Sequence, residues 1–99
     1  MKKTKNKEIE KIGIKIVPFL KRSDVVKAGI FGSYSRGEQK KKSDVDILVE
    51  FKGEKSLFDL IRLEIELKKI LGKKIDLLTY RSIHPLLKKI ILNEEVRII

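Results

Sequence analysis

Val25-Val26-Lys27-Ala28-Gly29-Ile30-Phe31, Gly32-Ser33-Tyr34-Ser35-Arg36-Gly37, and then Ser43-Asp44-Val45-Asp46-Ile47-Leu48-Val49-Glu50-Phe51: this run decides the fold. Its first segment is rich in β-branched residues and reads as a buried strand. The Gly-Ser pair predicts a tight turn into a short helix. Glu38 to Ser43 is a lysine-rich loop. Residues 44–51 form a second strand, apolar after an opening alternation of Asp44-Val45-Asp46.

Working outward, residues 5–20 read as a helix, because Ile9, Ile12, Ile16 and Leu20 recur at helical spacing. Pro18 is expected to bend or end it near Val17, since a proline disfavours helical backbone at the residue before it. Downstream, Ser56 and Asp59 have the spacing of a capping box, with the shorter acid in place of Glu. The helix they open runs from Leu57 to Leu71 and is expected to bury Leu57, Leu60, Ile61, Leu67 and Leu71, with Glu64 interrupting the stripe. Gly72 sits where a C-terminal glycine stop belongs. Residues 75–80 make a third strand. Ser82 is the expected cap of a last helix reaching about Leu92, with Pro85 in its first turn. Residues 96–99 leave room for a short edge strand. The expectation is an α/β (α+β) chain of order α-β-α-β-α-β-α, a small mixed sheet flanked by helices, forming one domain over residues 1–99.

Composition narrows the function. Ninety-nine residues with 41% apolar side chains suit one folded domain. There is no cysteine, which removes disulfides and thiolate metal sites. No apolar run is long enough for a membrane span, so the expected setting is the cytoplasm. Lys and Arg number 24 against 14 Asp and Glu, a formal charge of +10. That excess favours anionic partners, but scattered Lys is mostly a solvated surface. Nucleic acid is therefore a less favoured partner, and the 6% aromatic content shows no cluster suited to base stacking.

Three carboxylates stand out, each a charge at or within an apolar strand. Residues i and i+2 of a strand share a face, so Asp44 and Asp46 project together with Cα atoms roughly 6.5–7 Å apart. Such a pair suits two metal ions about 3.5–4 Å apart. Asp76 lies inside Ile75-Asp76-Leu77-Leu78, where an unpartnered charge would be costly and a neighbouring cation would offset it. Carboxylate oxygens without Cys or His favour Mg²⁺ or Mn²⁺ over Zn²⁺. Gly32 lets backbone approach a phosphate, a helix N-terminus after it would present free N–H groups, and the Ser33 hydroxyl adds a donor. Arg36 reads equally as a phosphate contact or as a partner of Glu38. Lys40, Lys41 and Lys42 read as a solvated loop, His84 as structural, and Tyr34 and Tyr80 as packing residues.

Phe31-Gly32-Ser33, ten intervening residues and Asp44-Val45-Asp46-Ile47 resemble the signature of the DNA polymerase β-like nucleotidyltransferases. The fuller string from Gly32-Ser33-Tyr34-Ser35-Arg36-Gly37 to Asp46 is similar to the minimal nucleotidyltransferase (MNT) branch, with Asp76 matching the usual third carboxylate and Ser35 standing where many relatives have Ala. The resemblance implies transfer of AMP from ATP with two Mg²⁺ ions, the metals on Asp44, Asp46 and Asp76 and the nucleoside triphosphate at Gly32 and Ser33; Arg36 joins the triphosphate set only on its phosphate-contact reading. It also implies a HEPN toxin partner, modified on a tyrosine. Two other readings compete: a non-catalytic antitoxin that acts by docking, and an enzyme acting on RNA ends. The full acid set disfavours the first, and the lack of any RNA-gripping domain disfavours the second.

Overall fold

The computed structural model describes residues 6–40 and 42–99; Lys5, in the expected first helix, and Lys41, in the lysine loop, lie outside them. Helix α1 spans Lys7–Arg22 and is capped by Asn6, whose side chain accepts from the Glu8 and Ile9 amides. Ile9, Ile12, Ile16 and Leu20 are its buried stripe, as the spacing requires. Pro18 does not end it. Proline deprives the carbonyl four residues earlier of its partner. That residue is Ile14, 77% exposed, on a face where water takes the bond, while the buried stripe holds the helix on both sides of Pro18.

Strands β1 (Val25–Phe31), β2 (Val45–Phe51), β3 (Ile75–Thr79) and β4 (Val96–Arg97) form one mixed sheet in the order β3-β2-β1-β4. β1 pairs antiparallel with β2 and with β4, and β2 pairs parallel with β3. The parallel pair requires a crossover, which helix α2 (Leu57–Leu71) supplies. Ser56 and Asp59 form the expected capping box, and Gly72 closes α2 in the left-handed region at φ 63°. Helix α3 (Pro85–Glu94) follows a single 3-10 turn at Tyr80–Ser82.

The mixed sheet flanked by helices is as expected, with three differences inside it. Residues 32–37 form a turn and not a helix. Gly32 and Gly37 are both left-handed, at φ 74° and 70°, and the few residues between them are too short to offset helix nucleation. α3 is capped by His84, whose Nδ1 accepts from the Leu86 amide at 3.1 Å. Ser82 instead donates to the Thr79 carbonyl at 2.9 Å and closes the 3-10 turn. In α2 the buried residues are Leu63 and Leu67, whereas Leu57 and Ile61 are 69% and 44% exposed. α2 is apolar over more than one face, so periodicity alone does not choose the inward one.

The sheet separates two cores. Ala28, Ile30, Val45, Ile47, Val49, Ile75 and Leu77 face α1 and α2 and join the α1 stripe, Leu63 and Leu67. Each of the Ile, Val and Leu side chains among them contributes about 1.5–3 kcal/mol on burial. The opposite face carries a smaller cluster of Phe31, Leu48 and Ile83, packed by Leu78, Tyr80 and Ile91.

Candidate active site

In-register neighbours of a sheet share a face, and register builds the site. Asp46 is the partner of Phe31 on β1 and of Asp76 on β3. Leu48, two residues on, is the partner of Leu78. Asp46 and Asp76 therefore stand side by side on the face of the small cluster, away from α1 and α2. Asp44 precedes β2 and is exposed. The amide of Val45 donates to the Lys74 carbonyl at 2.9 Å, which ties the entry of β2 to the entry of β3 and brings all three acids to one end of the sheet.

Gly32 ends β1 beside them. A Cβ there would collide with Asp46 Oδ2 and approach its Cγ, and φ is left-handed. Only glycine satisfies both conditions. Beyond it the Arg36 amide donates to the Gly32 carbonyl (3.2 Å) and the Glu38 amide to the Ser33 carbonyl (2.9 Å). The Ser35 hydroxyl also donates to the Gly32 carbonyl, at 2.8 Å. Tyr34, 2% exposed, anchors the turn in the main core, and its carbonyl accepts from Asn6 Nδ2 at 2.6 Å. Tyr34 is thus a packing residue, and the turn is held from above and below.

Burial, the Asp76 charge and the Asp44 charge together push the Asp46 carboxyl up to about 6, against a smaller opposing pull from Arg36. Among the described residues no three His, Cys, Asp or Glu side chains are gathered closely enough to hold one metal ion. The donor set is all oxygen, and its mutual repulsion is what a hard divalent cation relieves, so the residues fit Mg²⁺.

Arg36 does not reach into the site. Its Nε pairs with Glu38 at 2.9 Å and its Nη1 with Glu94 at 3.0 Å. The Glu38 pair is one of the two expected alternatives. Glu94 is a residue that sequence reading missed, because its partner lies far away in the chain. Tyr80 donates its hydroxyl to Glu95, with Lys27 Nζ 4.3 Å from its ring centre; burial and then Glu95 push the phenol well above its ordinary range. Glu95 lies over Gly29, where any Cβ would collide with it. These contacts fasten the start of β4 to the small cluster and are structural.

Residues 10–98 match the family described as the nucleotidyltransferase domain. A Methanocaldococcus jannaschii chain, named provisionally a protein adenylyltransferase, is 58% identical over 91 residues, covering 92% of this chain and 98% of its own. A protein adenylyltransferase of Thermococcus cleftensis is 45% identical over 75 residues, 76% of either chain. Among solved structures, a toxin–antitoxin structure with AMP-PNP superposes with a TM-score of 0.79 at 26% identity, covering 88% of this chain and 72% of that one. The match over almost the whole chain, with the glycine turn and the acids on one sheet end, leads to one conclusion: this chain belongs to the nucleotidyltransferase domain family and is a nucleotidyltransferase of its minimal branch.

Proposed function

We propose that this chain, acting as one domain, transfers AMP from ATP to a tyrosine hydroxyl of a HEPN toxin and so serves as the antitoxin of a pair. The observation that carries the reading is the juxtaposition of Gly32, Asp46 and Asp76 at one end of the sheet. The protein adenylyltransferase and toxin–antitoxin relatives support the acceptor class, and the AMP-PNP of that solved structure supports an ATP donor. No described helix is long and apolar enough to cross a membrane.

Asp44, Asp46 and Asp76 are the residues that would hold two Mg²⁺ ions. Bound there, the ions would neutralise the triphosphate and acidify the acceptor hydroxyl. The side chains supply the rest. Gly32, lacking a Cβ, lets the turn lie against the Asp46 carboxylate and leaves its backbone able to approach a phosphate. The Ser33 hydroxyl donates to the β- and γ-phosphates and holds the leaving group in line. The acceptor oxygen attacks the α-phosphorus, the bond to pyrophosphate breaks, and the acceptor proton passes to the Asp76 carboxylate. Orientation of this kind is where a small enzyme gains most.

The test is incubation of the purified chain with α-labelled ATP and Mg²⁺, with and without its co-encoded HEPN protein, followed by mass spectrometry. AMP on a partner tyrosine is the expected result. Label on RNA, or partner neutralisation without any label, would replace this reading with one of its two rivals.

A further inference from the structure

Helix α3 is an unusual element. It has no buried residue, yet it carries Leu86, Leu87 and Ile90 at 82%, 50% and 56% exposure. It rests on the molecule through Ile91, against the small cluster, and through Glu94, ion-paired to Arg36. Leu86, Ile90 and Glu94 are four residues apart, so they lie along one line of the helix. An apolar ridge therefore runs down α3 and ends at the turn that begins with Gly32. Eight residues of helix span about 12 Å, the length of the line from Leu86 to Glu94. Moreover α3 packs on the Phe31–Leu48 side of the sheet, the side that carries Asp46 and Asp76.

We infer that this ridge is the docking surface for the acceptor protein, which presents an apolar patch fringed by carboxylates. The inference rests on the adenylyltransferase reading above. Position is the first argument. A second exposed stripe exists on α2, at Leu57, Phe58, Ile61 and Ile65, but α2 covers the other side of the sheet. A protein seated there would be separated from Asp46 by the thickness of the sheet. A protein seated on α3 lies on the same side of the sheet as Asp46 and Asp76. Charge is the second argument. Lys89, three residues on from Leu86, is exposed at the border of the ridge, and the chain carries +10; an acidic rim complements it. The same lysine argues against a second copy of this chain, because a two-fold contact would set it near its own image.

Arg36 ties this surface to the turn that begins with Gly32, through its pair with Glu94.

The test compares two triple variants, Leu86→Ser with Leu87→Ser and Ile90→Ser on α3, and Phe58→Ser with Ile61→Ser and Ile65→Ser on α2. All six residues are exposed, and circular dichroism checks that each variant folds. The probe is the co-encoded HEPN protein, titrated by calorimetry, with AMP transfer to it measured separately. The α3 variant is expected to bind it about a hundredfold more weakly, in line with loss of a central apolar anchor, and to raise KM with kcat little changed. Its stabilisation by AMP-PNP and Mg²⁺ is expected to match the parent chain, and the α2 variant is expected to bind normally. Unchanged partner affinity in the α3 variant would overturn the inference, as would loss of binding in the α2 variant alone. So would sedimentation showing a dimer of the parent chain that only the α3 substitutions dissolve. A partner bound through α3 but never labelled would leave docking in place and sink the adenylyltransferase reading instead.

Discussion

At the scale of single residues, the proposed chemistry turns on two neighbouring positions, Gly32 and Asp46. Asp46→Asn keeps the shape and removes the charge. Transfer is expected to fall by at least about a thousandfold, as loss of several kcal/mol of metal-borne stabilisation dictates. Near-parental turnover in metal-controlled buffer would count against the site. The fold should respond in the opposite sense. The Asp46 carboxyl is raised to about 6, above the unfolded value of about 3.9. The folded state therefore keeps a proton that the unfolded chain has already lost. Its stabilising contribution is complete below about pH 4 and disappears as pH rises through about 6. Without Mg²⁺, Asp46→Asn is expected to gain thermal stability over the parent at pH 8 and to lose that advantage at pH 4, a difference that melting curves at the two pH values read directly. Gly32→Ala places a methyl against Asp46 Oδ2 at a left-handed φ. It is expected to cost about 1–3 kcal/mol of stability and to abolish triphosphate binding; a fully active alanine variant would mean that the turn is not where the triphosphate sits.

Elements position these residues by register and by caps. β2 brings Asp46 opposite Asp76 because the parallel pairing begins at Val45 and Ile75, and α2 sets that pairing by carrying the chain across. The capping box at Ser56 and Asp59 starts α2. The Asp59 carboxyl is held below its ordinary value, first by the Ser56 backbone N–H and then by the Ser56 hydroxyl, so its support is present at neutral pH and is lost as pH falls through its lowered pKa. Ser56→Ala is expected to destabilise the protein by about 1 kcal/mol while kcat stays as it was, since the cap lies at the opposite end of the crossover from the acids. Chemical denaturation together with steady-state kinetics checks both halves, and a large fall in kcat would reveal that α2 affects the acids more directly than register alone implies.

For the whole molecule, charge and ligand linkage are the measurable properties. Three acids lie at one sheet end, and the charges of Asp76 and Asp44 help to raise the Asp46 carboxyl, within a chain of net charge +10. Mg²⁺ is expected to raise the melting temperature, and Mg²⁺ with AMP-PNP to raise it further; at a hundred times Kd a ligand adds about 2.7 kcal/mol. The shift should vanish in the Asp44→Asn, Asp46→Asn double variant, and an equal shift there would place the ion elsewhere. Association with an acidic protein partner is expected to slow as salt rises, because steering by net charge is screened. Stopped-flow rates at low and physiological salt decide this, and a salt-independent rate would remove the electrostatic half of the docking argument.

Much of this was written in local sequence. The β-branched run before Gly32, the Ser33-to-Asp44 spacing, the α1 stripe and the Ser56 and Gly72 caps are short-range signals, each a consequence of backbone sterics or of period 2 and 3.6. They were enough to set out the mixed sheet and to nominate Gly32, Ser33, Asp44, Asp46 and Asp76. Tertiary structure alone decided the rest. Whether Pro18 ends α1 depended on which face of the helix met water. Whether Leu57 and Ile61 or Leu63 lie inward depended on where the sheet stands. His84 became a cap, and Ser82 did not, because a 3-10 turn used the serine first. Arg36 took Glu94 as well as Glu38 because α3 folds back over the sheet, a contact no local spacing encodes. The local code fixes which residues are apolar, charged or flexible, but the choice among competing partners belongs to the packed chain, where burial and charge act between residues remote in sequence.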